Sequence, residues 1–222
     1  MDWQALRLSL ELALVTTLLL APVSLFCGRA LAFGRFRGRG LVESLVLLPL
    51  VMPPTVLGFY LLVGFAPASP LGSLWQALSG DTLAFSFSGL VLASVIVNLP
   101  FAIQPAQRAF EAIPRDVREA ARCCGMSSAE VIRRIELPLA WPGILTGLVM
   151  SFAHTLGEFG VVLMVGGSIP GETRTLAIAI YDRTQAMDHG SAAAMAAMLM
   201  TISIFTVSVA FFLSQRVGRR HG

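Results

Sequence analysis

Long apolar runs recur along this chain, and they limit its fold more than any other feature. Leu12–Cys27 reads LALVTTLLLAPVSLFC, and comparable stretches cover 44–65, 83–108, 139–165 and 191–213. Crossing a bilayer takes about 20 mostly apolar residues in a helix. In lipid every backbone N–H and C=O must find its partner inside the chain, and a helix achieves that within one segment. The residues are 55% hydrophobic and 13% charged, against about 25% charged in a soluble domain. The expected fold is therefore an all-α membrane protein, one transmembrane domain over 1–222 with about five spans or six. The first span covers about 8–28, its helix starting nearer Trp3, a residue suited to the interface. It is read as uncleaved, because Asp2 and Glu11 flank Arg7 and no small-x-small cleavage site follows.

Several of these runs are irregular. The stretch 44–65 carries Pro49, Pro53 and Pro54 with Gly58 and Gly64. Each proline lacks an N–H and clashes with the preceding turn, so a straight helix is excluded. Broken backbone at membrane depth survives only beside protein or a water-filled cavity, which makes Pro53 and Pro54 candidates for a pathway or gate. Asn98, His154 and Glu158 are polar groups inside apolar runs, where polarity is costly and often functional. Asn98 has the alternative of bonding a neighbouring helix, His154 of packing, and Glu158 of reaching water at the far interface. Residues 166–190 hold Glu172, Arg174, Asp182 and Arg183 and are too polar to cross. Those two arginines could steer an anion, although each has an acidic neighbour.

One segment is polar and charge-dense, EAARCCGMSSAEVIRRIELP from Glu119 to Pro138. Glu119, Ala120, Ala121 and Arg122 favour a helix that Gly125 can stop or turn. Ser127 with Glu130 three residues on is a capping-box pattern for a second short helix. Val131, Ile132 and Ile135 form an apolar strip beside Arg133, Arg134 and Glu136. Ile113-Pro114 predicts a break before the segment. The whole loop, 111–138, reads as a compact two-helix knob, with the next span starting after Pro138 and Pro142.

The spacing of Glu119, Ala120, Ala121, Gly125, Ile135, Leu137 and Pro138 resembles the EAA loop of the membrane subunits of binding-protein-dependent ABC importers. LPLVMPPTVLGFYLL (48–62) and HTLGEFGVVLMVGGSIPGETRTLAIAIYD (154–182) resemble the molybdate permeases of that family in particular. Tungstate and sulfate/thiosulfate permeases share the plan. The resemblance implies a type I importer permease fold whose EAA residues form the coupling contact with an ATPase. It implies a second permease copy, two ATP-binding subunits and an external oxyanion-binding protein. ATP and Mg²⁺ would sit on the partner ATPase, and this chain would carry no cofactor and no catalytic residues.

The sixteen basic residues are all arginines. If the EAA loop is cytoplasmic, Arg29, Arg35, Arg37, Arg39, Arg108, Arg115, Arg118, Arg122, Arg133, Arg134, Arg216, Arg219 and Arg220 share its side. Only Arg7, Arg174 and Arg183 lie opposite. That bias obeys the positive-inside rule and puts the N-terminus outside and the C-terminus in the cytoplasm of a prokaryotic inner membrane. Cys27, Cys123 and Cys124 form no metal or disulfide pattern and read as small packing residues on the reducing side. His154 and Glu158 share a helix face, but no second histidine completes a metal pair. No phosphate-binding loop or nucleophile arrangement is present, and no basic tract suggests nucleic acid. The rival readings are an ATP-independent channel or carrier, and a non-transport membrane protein, either a scaffold or an intramembrane enzyme using His154 and Glu158.

Overall fold

The fold was taken from a computed structural model that describes residues 1–218; Arg219 and Arg220 lie outside the described residues. The chain forms α1 (Trp3–Phe33), α2 (Arg39–Val51), α3 (Pro54–Phe65), α4 (Pro70–Ser79) and α5 (Phe87–Glu111). After these come α6 (Arg115–Cys123), α7 (Ser128–Val131), a π-helical turn (Ile132–Glu136) and α8 (Leu137–Gly157). The last helices are α9 (Gly160–Gly166), α10 (Leu176–Gln185) and α11 (His189–Gly218). No strand occurs among the described residues. Four helical runs have the length and apolarity to cross a membrane, and α2 with α3 would make a fifth if that bent pair is one span.

The centre of the bundle is α1, α5 and α8, packed against one another along their lengths. In lipid, burying apolar side chains adds little, so helices associate through close packing and polar contacts. The sequence supplies small residues where these helices meet. A Cβ on Gly28 would fall 2.9 Å from Ala106 Cβ, and one on Gly147 would fall 2.8 Å from the Ala102 carbonyl. Leu12 of α1, Leu90 of α5 and Val162 of α9 then close one core cluster, and Phe110, Ala140 and Ile144 another.

Two stretches read as single spans are broken. Between α2 and α3 the axis turns by 111°, because Met52 and Pro53 are extended, with ψ of 138° and 134°, and Pro54 opens the new helix. The stretch 139–165 also divides, at Glu158, whose ψ of 127° ends α8. By then α8 has run 21 residues, about 32 Å at 1.5 Å per residue, enough for the hydrocarbon core. The following α9 folds back against α3 and α5.

Two further expectations need correction. Pro138 does not precede the fourth span but lies in its first turn, and Pro142 lies inside it. The cysteines are not packing residues: Cys27, Cys123 and Cys124 are all exposed. Cys27 sits on an outward face of α1, and the other two end α6.

Candidate functional site

The polar segment folds as two short helices around a left-handed glycine. Gly125 has φ of +82°, a conformation that costs a residue with a Cβ and costs glycine little. Its N–H donates to the Arg122 carbonyl at 2.9 Å and the Met126 N–H to the Ala121 carbonyl at 3.2 Å, closing α6. Ser127 then starts α7 with a complete capping box. Its hydroxyl accepts from the Glu130 N–H at 3.3 Å, and the Glu130 carboxylate accepts from the Ser127 N–H at 3.0 Å. That N–H, with the Ser127 hydroxyl, holds the Glu130 carboxyl below the usual carboxylate range. Ala121 and Val131 face the interior of the knob, whereas Glu119, Ala120 and Gly125 are exposed.

The second helix of the knob does not end before the membrane. From Ser128 to Gly157 the helix is continuous over 30 residues. The π-turn makes this possible: the Leu137 N–H reaches back five residues to the Ile132 carbonyl. Such a wider turn accommodates an extra residue within a helix, often at a functional position. Pro138, which has no N–H to continue that pattern, falls in the first turn of α8.

Within this turn Glu136 is completely buried. Its carboxylate accepts from Arg29 Nε at 2.6 Å and from Arg118 Nε at 2.9 Å. The Arg118 guanidinium also stacks 3.6 Å from the ring centre of Phe33. One carboxylate therefore joins the end of α1, the first knob helix and the root of α8. A buried charge persists only when it is paired in this way. The sequence reading placed Glu136 merely on the polar side of a strip. No local signal marks its burial, and Arg29 lies 107 residues away.

At the other end of α8 the two backbone breaks meet. A Cβ on Gly160 would sit 2.8 Å from Pro54 Cβ, and one on Gly58 would sit 2.7 Å from Met164 Cβ. Pro54 thus lies against the start of α9. Glu158 turns inward and accepts from the Val161 N–H at 3.0 Å, capping α9, with its side chain 10% exposed. Its other oxygen lies 3.8 Å from His154 Nε2. The His154 ring stacks on Phe101 at 4.4 Å and lines an apolar groove of about 390 Å³ with Met150 and Val207. Asn98 is not part of this face. It is fully buried, and its amide donates to Thr155 Oγ1 at 3.0 Å and to the Ser94 carbonyl at 2.8 Å, tying α5 to α8. Arg174 and Arg183 are matched by acids, Asp182 at 3.2 Å and Asp188 at 3.4 Å.

Residues 21–219 match the family described as the inner membrane component of binding-protein-dependent transport systems. The chain belongs to this family. Among curated relatives, it is 47% identical to the molybdenum transport system permease protein ModB of Azotobacter vinelandii, covering 97% of this chain and 95% of that protein. With the Escherichia coli protein of the same description it shares 36% identity, over 98% of this chain and 94% of the other. Its fold is like that of a chain in the crystal structure of a bacterial importer of the polysaccharide alginate. The TM-score is 0.78 at 19% identity, over 96% of this chain and 78% of that one.

As a member of the family, the chain is a multi-pass membrane protein and the transport subunit of an ABC importer, not an enzyme. The fold expected from the apolar runs and the EAA resemblance is the one found.

Proposed function

We propose that this chain forms the molybdate pathway of an importer driven by a separate ATPase. The observation that carries the mechanism is the exposed knob run without a break into a bilayer-length helix. Glu119, Ala120 and Gly125 present the surface that an ATP-binding subunit seats, with Ala121 packed beneath it, while Ile135, Leu137 and Pro138 form the root that passes its motion to α8. Glu136 clamps that root to α1. ATP and Mg²⁺ belong to two such partner subunits. Two copies of the chain stand around the path, the knob faces the cytoplasm, and the N-terminus faces out. There an oxyanion-binding protein delivers its cargo near the paired breaks at Pro53, Pro54 and Glu158, with His154 beside them; Asn98 holds the walls together. Closure of the ATPases on ATP draws the knobs together and opens the outer side, and hydrolysis reverses the movement. Molybdate is favoured by the 47% identity to a molybdenum permease over nearly the full length of both chains.

The test is reconstitution in liposomes with the candidate ATPase and binding protein, following ATP hydrolysis with molybdate, tungstate or sulfate. Stimulation by molybdate at concentrations far below those of sulfate is the expected outcome. Stimulation by sulfate alone moves the substrate, and failure to associate with any ATPase overturns the reading.

A further inference from the structure

The turn between α1 and α2 and one side of α6 enclose a cavity of about 560 Å³. Arg35 reaches it from the turn, Arg39 from the start of α2, and Arg115, Arg118 and Arg122 from α6, against two carboxylates, Glu111 and Glu119. The lining positions on α6 recur at intervals of three and four, so a whole face of that helix turns toward the space. Two arginines are already matched, Arg118 by Glu136 at 2.9 Å and Arg39 by Glu43 at 2.9 Å and Glu111 at 3.0 Å. Arg35, Arg115 and Arg122 have no carboxylate partner among the described residues. The α6 helix also begins without a side-chain cap, so its first N–H groups add to the positive field, which Asp116 in the same turn offsets in part.

Position narrows the ligand. The cavity lies where the long apolar helix α1 ends and the apolar α2 begins, which is headgroup depth if both enter the bilayer, and Ala32, Phe33 and Ile113 give it an apolar wall. Arginine forks suit the paired oxygens of a phosphate, and basic pockets at this depth take anionic headgroups. We propose that this cavity binds a tetrahedral oxyanion, the phosphate of an anionic lipid being the occupant its place favours. A free oxyanion carries the same chemistry, and the two sources are separable by experiment. The occupant bridges the α1–α2 turn to α6 and so fastens the first knob helix to the membrane surface.

The full complex, exchanged into phosphatidylcholine, is titrated with phosphatidylglycerol, and retained lipid is counted by native mass spectrometry. Arg35→Gln with Arg115→Gln is compared with Arg37→Gln with Arg133→Gln, which removes the same charge outside the cavity. At roughly fivefold per arginine, the first pair is expected to weaken lipid binding by about twenty-five-fold and the second by about twofold at most. Arg35→Lys with Arg115→Lys keeps the charge but not the fork and is expected to recover part of the binding, which a misfolded protein would not. In phosphatidylcholine nanodiscs, inorganic phosphate and molybdate are titrated by calorimetry. Saturable binding there that is lost with Arg35→Gln and Arg115→Gln, without any lipid preference, assigns the same site to a free oxyanion. Equal losses in both arginine pairs, or binding of neither anion, overturn the proposal. Loss of the ATPase from Arg35→Gln/Arg115→Gln complexes that never bound either anion overturns it too, and makes the cavity a protein contact.

Discussion

A carboxylate with no solvent exposure needs its charge matched, and Glu136 has Arg29 at 2.6 Å and Arg118 at 2.9 Å. Glu136→Gln keeps the shape and leaves both arginines without a counter-charge. Removing one partner of a buried pair costs about 3 to 5 kcal/mol. The arginine side chains here are 31% and 17% exposed, so water recovers part of that, and a loss of about 2 kcal/mol is expected. Thermal unfolding in detergent, followed by tryptophan fluorescence, measures it, and an unchanged midpoint contradicts the clamp. Glu130 behaves differently, since its carboxyl is held low by the Ser127 N–H and hydroxyl. A depressed folded value means that its stabilising effect is complete above the ordinary glutamate range, near pH 4.3. That effect is lost as the pH falls through the lower folded value. Hydrogen-exchange protection at the start of α7, taken relative to the intrinsic rate at each pH, is therefore expected to be unaffected near neutrality and to fall only in acid.

At the scale of elements, the bundle depends on backbones that approach closely. Gly147→Val places its side chain against the carbonyls of Ala102 at 2.8 Å and Phe101 at 3.0 Å. Backbone cannot move aside as a flexible side chain can, so a loss of about 2 to 3 kcal/mol is expected. Gly64→Ala meets no heavy atom within 4 Å and is expected to stay within about 0.5 kcal/mol of the parent. Equal unfolding midpoints for the two variants would refute the packing described for α5 and α8. Much of this layer is legible in sequence because its causes are local. Prolines at 53 and 54 forbid a straight helix, Ile113-Pro114 interrupts one, and Ser127 with Glu130 begins another. Other features depend on distant residues. Pro138 reads locally as a helix start, and nothing nearby announces the π-turn that joins α7 to α8. Likewise, no single-sequence pattern pairs Glu136 with Arg29. The break at Glu158 shows itself only as a carboxylate between glycines, and its role as a cap requires α9 to fold back.

For the whole molecule, the proposed topology puts the arginine-rich end and the knob in the cytoplasm. Cys123 and Cys124 are exposed beside the knob, which makes them reporters of sidedness. A membrane-impermeant maleimide is expected to label them in inside-out vesicles and not in intact spheroplasts; the reverse pattern would invert the topology. In the proposed mechanism the knob moves the path through an unbroken helix from Ser128 to Gly157. Two glycines inserted between Leu139 and Ala140 leave the knob, the π-turn and Glu136 in place and interrupt only that continuity. Molybdate uptake and ATP hydrolysis are then measured together in the same proteoliposomes. The expected result is hydrolysis within about twofold of the parent with uptake reduced about tenfold or more, a loss of coupling. Uptake per ATP unchanged from the parent would contradict it.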